Sequence, residues 1–288
     1  MSNQWYPGHM TKARRSIAEA MPAQDVVVEV LDARMPRASE NPIVTEIRRL
    51  KPCVKVLTKS DLADPEVTRM WLQHFESLDA VRTPASGRVV AVAVTTERAS
   101  EARTRIAAAC GALASPTRGR KTARAMIVGI PNVGKSTLVN TLAQRKVAKV
   151  GDEPAVTKGE QVVILKNGMT LSDNPGILWP KIEDESGAMC LALGGAIPDS
   201  ALDYESVALF GAALLLERYP ELIARRYKLT VIPPDADALL IEIGKRRGCL
   251  RSGGTVDRHK AADVFIHEFR AGALGRITLE RPEDGRLL

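Results

Sequence analysis

Aromatic side chains make up only 4% of this 288-residue chain, although 45% of it is hydrophobic. A core of that size has to be packed mostly with aliphatic groups. Cysteine is equally scarce. Cys53, Cys110, Cys190 and Cys249 form no C-x-x-C pair, and the four histidines are dispersed. Zinc-site spacing is therefore missing, a disulfide framework is disfavoured, and the thiols read as small buried groups in a reducing compartment. No apolar run approaches the length of a membrane span. The first residues, "MSNQWYPGHM", have neither the layout of a signal peptide nor that of a transit peptide. These features give the expectation of a cytosolic, bacterial protein with no membrane partner. Negative charge is in deficit: the formal net charge is +7. Such a balance favours an anionic partner without choosing among RNA, DNA and a lipid surface, and a moderately basic enzyme would show it too.

What is present alternates. "DVVVEVL" (25–31), "PCVKVLT" (52–58) and "RVVAVAV" (88–94) read as strands. The spacing of Met10, Ala13, Ile17 and Met21 predicts a helix with basic residues between its apolar positions; 40–50, 65–78 and 98–113 also read as helical. "SPTRGRKTAR" (115–124) is a basic linker. "AMIVGI" (125–130) is then a strand, with a helix from Lys135, and "GEQVVIL" and "GMTLSD" are two strands joined by "KNG". From about Ser186 the pattern is mostly helical, with one late apolar run, "GRITLE". The alternation up to about residue 180 predicts an α/β fold with a doubly wound, mainly parallel sheet, followed by a small, mostly α-helical C-terminal part. The expected division is 1–182 and 183–288.

"GIPNVGKS" fits G-x-x-x-x-G-K-S through Gly129, Gly134, Lys135 and Ser136, with a strand before it and the helix "TLVNTLA" after it. In such a loop, here Asn132, Val133, Gly134, Lys135, Ser136 and Thr137, backbone N–H groups and a helix N-terminus face phosphate oxygens. Lys135 supplies charge for the β- and γ-phosphates, and Ser136 a ligand for Mg2+. "SDNPG" (172–176) sets Asp173 at a strand end to hold Mg2+ through water and Gly176 to offer its N–H to the γ-phosphate. Taken alone, D-x-P-G is also an ordinary turn. Between the two, "VGDEPAVTKGE" offers Thr157 as a switch residue reaching nucleotide and metal, or as a plain loop threonine.

"TKSD" (58–61) suits guanine: the Asp61 carboxylate accepts from N1–H and the exocyclic amine together, a donor pair that adenine lacks, while the Lys59 stem lies along the base. Thr58 stands where Asn is usual and loses the hydrogen bonds of that amide. The competing reading is a helix cap at Ser60 or Asp61. The guanine motif precedes the phosphate loop, the reverse of the common order. Joining the usual termini and reopening the chain elsewhere gives the same sheet with the guanine half first. "AVTTE" (93–97) then falls where a loop backing the guanine belongs, with Thr95 as the residue facing the base.

"WYPGHMTKARR", "DARMP", "TKSD", "GIPNVGKST", "DNPGILWP" and "KRRGCLRSGG", in this order, resemble the circularly permuted ribosome biogenesis GTPase A family of bacteria, which has mitochondrial and nucleolar relatives. The resemblance spans essentially the whole chain. It implies a permuted GTPase domain with a small helical C-terminal domain, action late in assembly of the large (50S) ribosomal subunit, and a GTPase stimulated by ribosomal RNA. The chain departs from the family pattern at Asn174, where Thr is usual, and at Thr95-Thr96, where Ser-Ala is usual. It carries no zinc cluster of the kind found in a related permuted family.

Ile177 follows Gly176, so no Gln is there to orient the attacking water. His9, in "YPGHM", is the catalytic candidate, and the resemblance points to the same residue; a structural turn or an RNA contact are the alternatives. Asn132 resembles the position that helps bind K+ in potassium-stimulated GTPases, and is otherwise a turn residue that tolerates left-handed geometry. Asp32 and Arg34 read as a loop salt bridge. Lys245, Arg246, Arg247 and Arg251, set among glycines, suit an RNA backbone; Lys12, Arg14, Arg15 and "RGRK" (118–121) extend that basic character. The expectation is a monomeric, RNA-dependent GTPase. Its rival is a GTP-binding, RNA-associated scaffold with little hydrolysis, and a third reading, an ATP-dependent RNA enzyme, is opposed by Asp61.

Overall fold

The β-branched runs make strands because their side chains suit a pleated surface covered on both faces. In the computed structural model, which describes residues 8–81, 87–114, 122–148, 161–165, 167–179, 182 and 184–284, six strands form one sheet. They are β1 (Val26–Asp32), β2 (Cys53–Thr58), β3 (Val89–Ala93), β4 (Arg124–Gly129), β5 (Gln161–Ile164) and β6 (Thr170–Asp173). Their order is β3-β2-β1-β4-β6-β5. All pairs are parallel except β5 with β6. The strands that lead into "GIPNVGKS" and "TKSD", β4 and β2, thus flank β1, as a permuted sheet of this kind requires.

Helices α1 (Gly8–Ala20), α2 (Pro42–Arg48) and α3 (Pro65–Val81) cover one face; α4 (Ala99–Leu113) and α5 (Lys135–Ala143) cover the other. Ala13, Ile17 and Ile43 pack on Val27, Met126 and Val128. Trp71 and Phe75 of α3 pack with Leu31 and Leu57. The opposite sides of β1 and β2, with Val28, Val30, Val54 and Val56, meet Ile106 and Leu138. On the face that α1, α2 and α3 cover lies one pair that charge would have put at the surface. Glu29 and Lys55 are partners across β1 and β2, almost fully buried, 3.0 Å apart, and Lys55 also reaches Glu40 at 2.6 Å. A buried cation is tolerated here because carboxylates surround it.

The second half is a bundle of α6 (Glu185–Leu193), α7 (Tyr204–Arg218), α8 (Pro220–Tyr227), α9 (Ala236–Arg247) and α10 (Arg258–Arg270). Asp203, Asp235 and Asp257 each cap a helix by accepting a backbone N–H. Gly211 lets α7 approach its neighbours closely: a Cβ there would lie 2.9 Å from Leu193. "GRITLE" pairs in no sheet. It runs as an extended strap back across the first half, with Ile277 N–H donating to Leu62 O at 2.9 Å and Leu279 N–H to Arg34 O at 2.6 Å. Trp71 Nε1 donates to Glu280 O at 2.9 Å, and the buried Glu280 carboxyl group accepts from Ala38 N–H. All four cysteines are free and buried, as expected. Among the described residues no helix is long and apolar enough to cross a membrane.

Candidate nucleotide site

Five loops leave the same edge of the sheet, because their strands are parallel: those after β1 ("DARMP"), β2 ("TKSD"), β3 ("TTE"), β4 ("GIPNVGKS") and β6 ("DNPG"). This is the edge where open α/β sheets bind ligands. The phosphate loop runs into α5 with Gly134 at φ +86° and Asn132 at φ +59°. A Cβ on Gly129 would lie 2.8 Å from Val30 O, and one on Gly176 would lie 3.0 Å from Pro131 N. Gly176 therefore lets "DNPG" close on the phosphate loop, while Gly129 lets β4 lie close to β1.

Lys135 Nζ lies 2.7 Å from Asp173 Oδ1, both buried. Asp173 Oδ2 is buried with no hydrogen-bond partner, and so is Asn174 Oδ1. A buried carboxylate oxygen left open beside a phosphate-loop lysine is the acceptor that a metal-bound water would use. Ser136, at the start of α5, stands on the same edge. These residues fit Mg2+, which supplies charge neutralisation for the phosphates when bound.

Among the described residues, every member of the "TKSD" loop but Asp61 is tied to its neighbours. Thr58 Oγ1 donates to Leu31 O at 2.9 Å or to Val133 O, so it links β2 to β1 and to the phosphate loop. The Thr58 hydroxyl thus ties the two loops together. Lys59, at φ +55°, donates from Nζ to Asp32 Oδ2 and to Asn132 O, each at 2.8 Å. Burial pushes the Lys59 ammonium below its ordinary pKa and Arg34 adds to this, against the pull of Asp32. Asp61 is half-buried and caps nothing: α3 begins four residues later, and its first N–H groups, of Glu66 and Val67, go to Asp64. The helix-cap reading of Ser60 or Asp61 is thereby corrected, since the cap is Asp64. Thr95 Oγ1 accepts from Glu97 N–H at 3.2 Å and opens a short 3-10 turn before α4.

Asp32 and Arg34 form the expected salt bridge, but it is a hub. Both are buried; Arg34 Nη2 and Nε lie 2.9 and 3.0 Å from the two Asp32 oxygens, and Lys59 takes Oδ2 as well. Burial alone would raise the Asp32 carboxyl; the two cations outweigh it and hold it well below the usual carboxylate range. Arg34 Nη1 then donates to Phe269 O and Arg270 O at the end of α10. Asn132 Nδ2 donates to Gly195 O at 2.7 Å. Both nucleotide loops are therefore wired to the helical half. Sequence reasoning missed these links because each partner lies more than sixty residues away in the chain. It also missed Asn41, which caps α2 and donates from Nδ2 to Ile177 O at 2.8 Å. Ile177 is fully buried and so faces away from any water.

His9 falls in the first turn of α1, and its side chain lies outside the described residues, as do Thr157 and "RGRK". The C-terminal basic residues are ion-paired: Lys245 and Arg246 with Glu242, Arg247 with Glu268, and Arg251 with Asp257.

The "GIPNVGKS" loop and the earlier "TKSD" loop leave one edge of a mostly parallel sheet, and the fold is that of a circularly permuted P-loop GTPase. The 50S ribosome-binding GTPase family matches residues 124–195. The ribosome biogenesis GTPase A of Bacillus pumilus is 43% identical over 99% of this chain and all of its own length. That of Thermotoga maritima is 33% identical, covering 97% and 95%. The mitochondrial ribosome-associated GTPase 1 of Bos taurus is 29% identical, covering 96% and 88%. GNP-bound YlqF from T. maritima superposes with a TM-score of 0.65 at 30% identity, covering 95% of this chain and 99% of its own. The chain belongs to the ribosome biogenesis GTPase A family, and it is an enzyme that hydrolyses GTP.

Proposed function

We propose that this GTPase acts late in assembly of the large ribosomal subunit, with its hydrolysis stimulated by the subunit and its rRNA. The observation that carries the reading is the double tie between nucleotide loops and helical half, Arg34 to the end of α10 and Asn132 to Gly195. A partner that grips the helical half would act directly on the loops that hold GTP. In this reading the nucleotide-binding part is 1–182 and the helical part 183–288. Asp61 reads guanine, Lys59 and Thr95 back it, and Thr58 braces the loop. Asn132, Val133, Gly134, Lys135, Ser136, Thr137 and Gly176 surround the phosphates. Mg2+ is held by Ser136, by Thr157 and, through water, by Asp173. K+ at Asn132 would assist.

His9 orients the attacking water, since the buried Ile177 cannot. Lys245, Arg246, Arg247 and Arg251 exchange their ion pairs for rRNA phosphates, a cheap exchange for the surface pairs of Lys245 and Arg246 with Glu242, because exposed pairs contribute ~0–1 kcal/mol. The protein works as a monomer in the cytoplasm, away from membranes. Multiple-turnover hydrolysis with and without purified large subunits tests this. Stimulation in the wild type that is lost in His9→Ala at saturating subunits is the expected result. Binding without stimulation would favour a GTP-loaded scaffold instead.

A further inference from the structure

The opposite edge of the sheet carries a second feature. There a groove of about 1130 Å³ opens between α1, α2 and the starts of β1 and β2. Five cationic side chains line it against the carboxylates of Asp25 and Glu46. Arg14 is already shared with Glu46, and Arg15 with Glu19. Lys51 bends inward to Pro22 O and Gln24 O. Arg49, at φ +50°, is exposed at the rim beside Leu50, which is 61% exposed.

The row continues along the strand starts. Arg88 precedes β3, and its carbonyl accepts from Cys53 N–H; Gly87 lies against the Leu50 and Lys51 carbonyls. Arg124 opens β4, paired through its backbone with Asp25. With strands about 4.8 Å apart and in the order β3-β2-β1-β4, Arg88 and Arg124 bracket a cationic edge of roughly 14 Å. The side chains of Arg49, Arg88 and Arg124 are exposed and form no ion pair among the described residues. That contrasts with the C-terminal basic run, where every named cation has a carboxylate.

We propose that this edge is a second RNA-binding surface, which takes a phosphate backbone at the far end of the sheet from GTP. The inference rests on the ribosomal reading above for the identity of its RNA. Arg48 is buried and donates to Lys51 O, but the other groove arginines, Arg14, Arg15 and Arg49, and both cations that extend the row reach the surface, and their planar forks match phosphate oxygens in pairs. A lipid surface would need a ridge of exposed apolar groups, and among the described residues of this edge only Leu50 is a large exposed apolar side chain. Strands of six or seven residues put the groove roughly 20 Å from the nucleotide loops, so RNA can be gripped without blocking GTP.

The test uses the full chain carrying Arg49→Gln, Arg88→Gln and Arg124→Gln together; each change removes a charge and leaves a long polar side chain on the same backbone, at φ +50° for residue 49. Binding of a 20-base-pair RNA duplex, and of purified large subunits, is measured across a salt series. Each phosphate that goes unneutralised lowers the log–log slope by about 0.7–0.9, so the slope should fall by roughly 2–3 while GTP affinity and melting temperature hold. A slope equal to wild type, with GTP binding intact, overturns the groove and leaves the ribosomal reading standing. If wild type does not bind subunits, that reading fails, and the duplex series still decides the groove. Groove-dependent binding to anionic phospholipid vesicles, with none to the duplex, also overturns the RNA assignment.

Discussion

Replacing Asp32 with Asn would remove one negative charge from between two cations. Arg34 is 2% exposed and cannot move to water; Lys59 is 24% exposed and partly can. Breaking a buried pair by removing one partner costs about 3–5 kcal/mol. The amide keeps one acceptor for Arg34, and Lys59 can turn outward, so the low end, about 3 kcal/mol, is expected. At about 2.1 cal/mol/K per residue, the unfolding entropy of a chain this long makes that a drop of about 5 °C in melting temperature. GTP affinity should fall about tenfold, because Lys59 would no longer be held against Asn132 O. The pH dependence has a definite sign. Asp32 is depressed when folded, so its contribution is complete above the ordinary Asp range and fades as pH falls toward the folded value. Asp32→Asn should therefore flatten the acid limb of the stability curve. Scanning calorimetry with nucleotide titration measures all three effects. Adding Arg34→Met should recover part of the deficit, since it removes the buried guanidinium while Phe269 O and Arg270 O lose their donor. A single variant melting within a degree of wild type would refute the hub.

Two more outcomes follow from the geometry. Lys135→Ala should abolish tight binding of GTP analogues and also lower the melting temperature, because Asp173 loses its buried cation; wild-type affinity, by equilibrium titration, would remove Lys135 from the phosphate site. Burial pushes the Glu280 carboxyl up to about 7, against the pull of Ala38 N–H and Arg37, so its stabilising share is full below the ordinary Glu range and is lost as pH rises through 7. Glu280→Gln should then raise stability at pH 8 by up to about 3 kcal/mol and flatten the curve between pH 4.5 and 7, as read by urea denaturation at stepped pH; an unchanged pH profile would mean the strap does not hold a protonated acid.

Much of the fold was legible because local pattern and environment agree: β-branched strands are buried on both faces, and glycines fall where Gly129 and Gly176 meet neighbouring backbone. The nucleotide edge was legible because each motif is contiguous. What was not legible is long-range. Glu29 and Lys55 look like solvent-facing charges in alternating strands until β1 and β2 pair in register. "GRITLE" is apolar enough for a strand, yet it docks as a strap because the backbone groups of Leu62 and Arg34 await it. Thr58 seemed a weakened Asn, and only the closeness of Val133 shows what its hydroxyl holds. Asp61 was open to a capping role until Asp64 proved to be the cap.

The central claim is that "TKSD", early in the chain, reads the base whose phosphates sit on "GIPNVGKS". Asp61→Asn tests it most directly, with affinities for GTP and xanthosine triphosphate measured side by side. The carboxylate accepts two guanine hydrogen bonds; the amide would accept one and donate to the xanthine carbonyl. Preference should invert, with GTP weakened at least tenfold and xanthosine triphosphate strengthened. A variant that keeps wild-type preference for GTP would contradict the account.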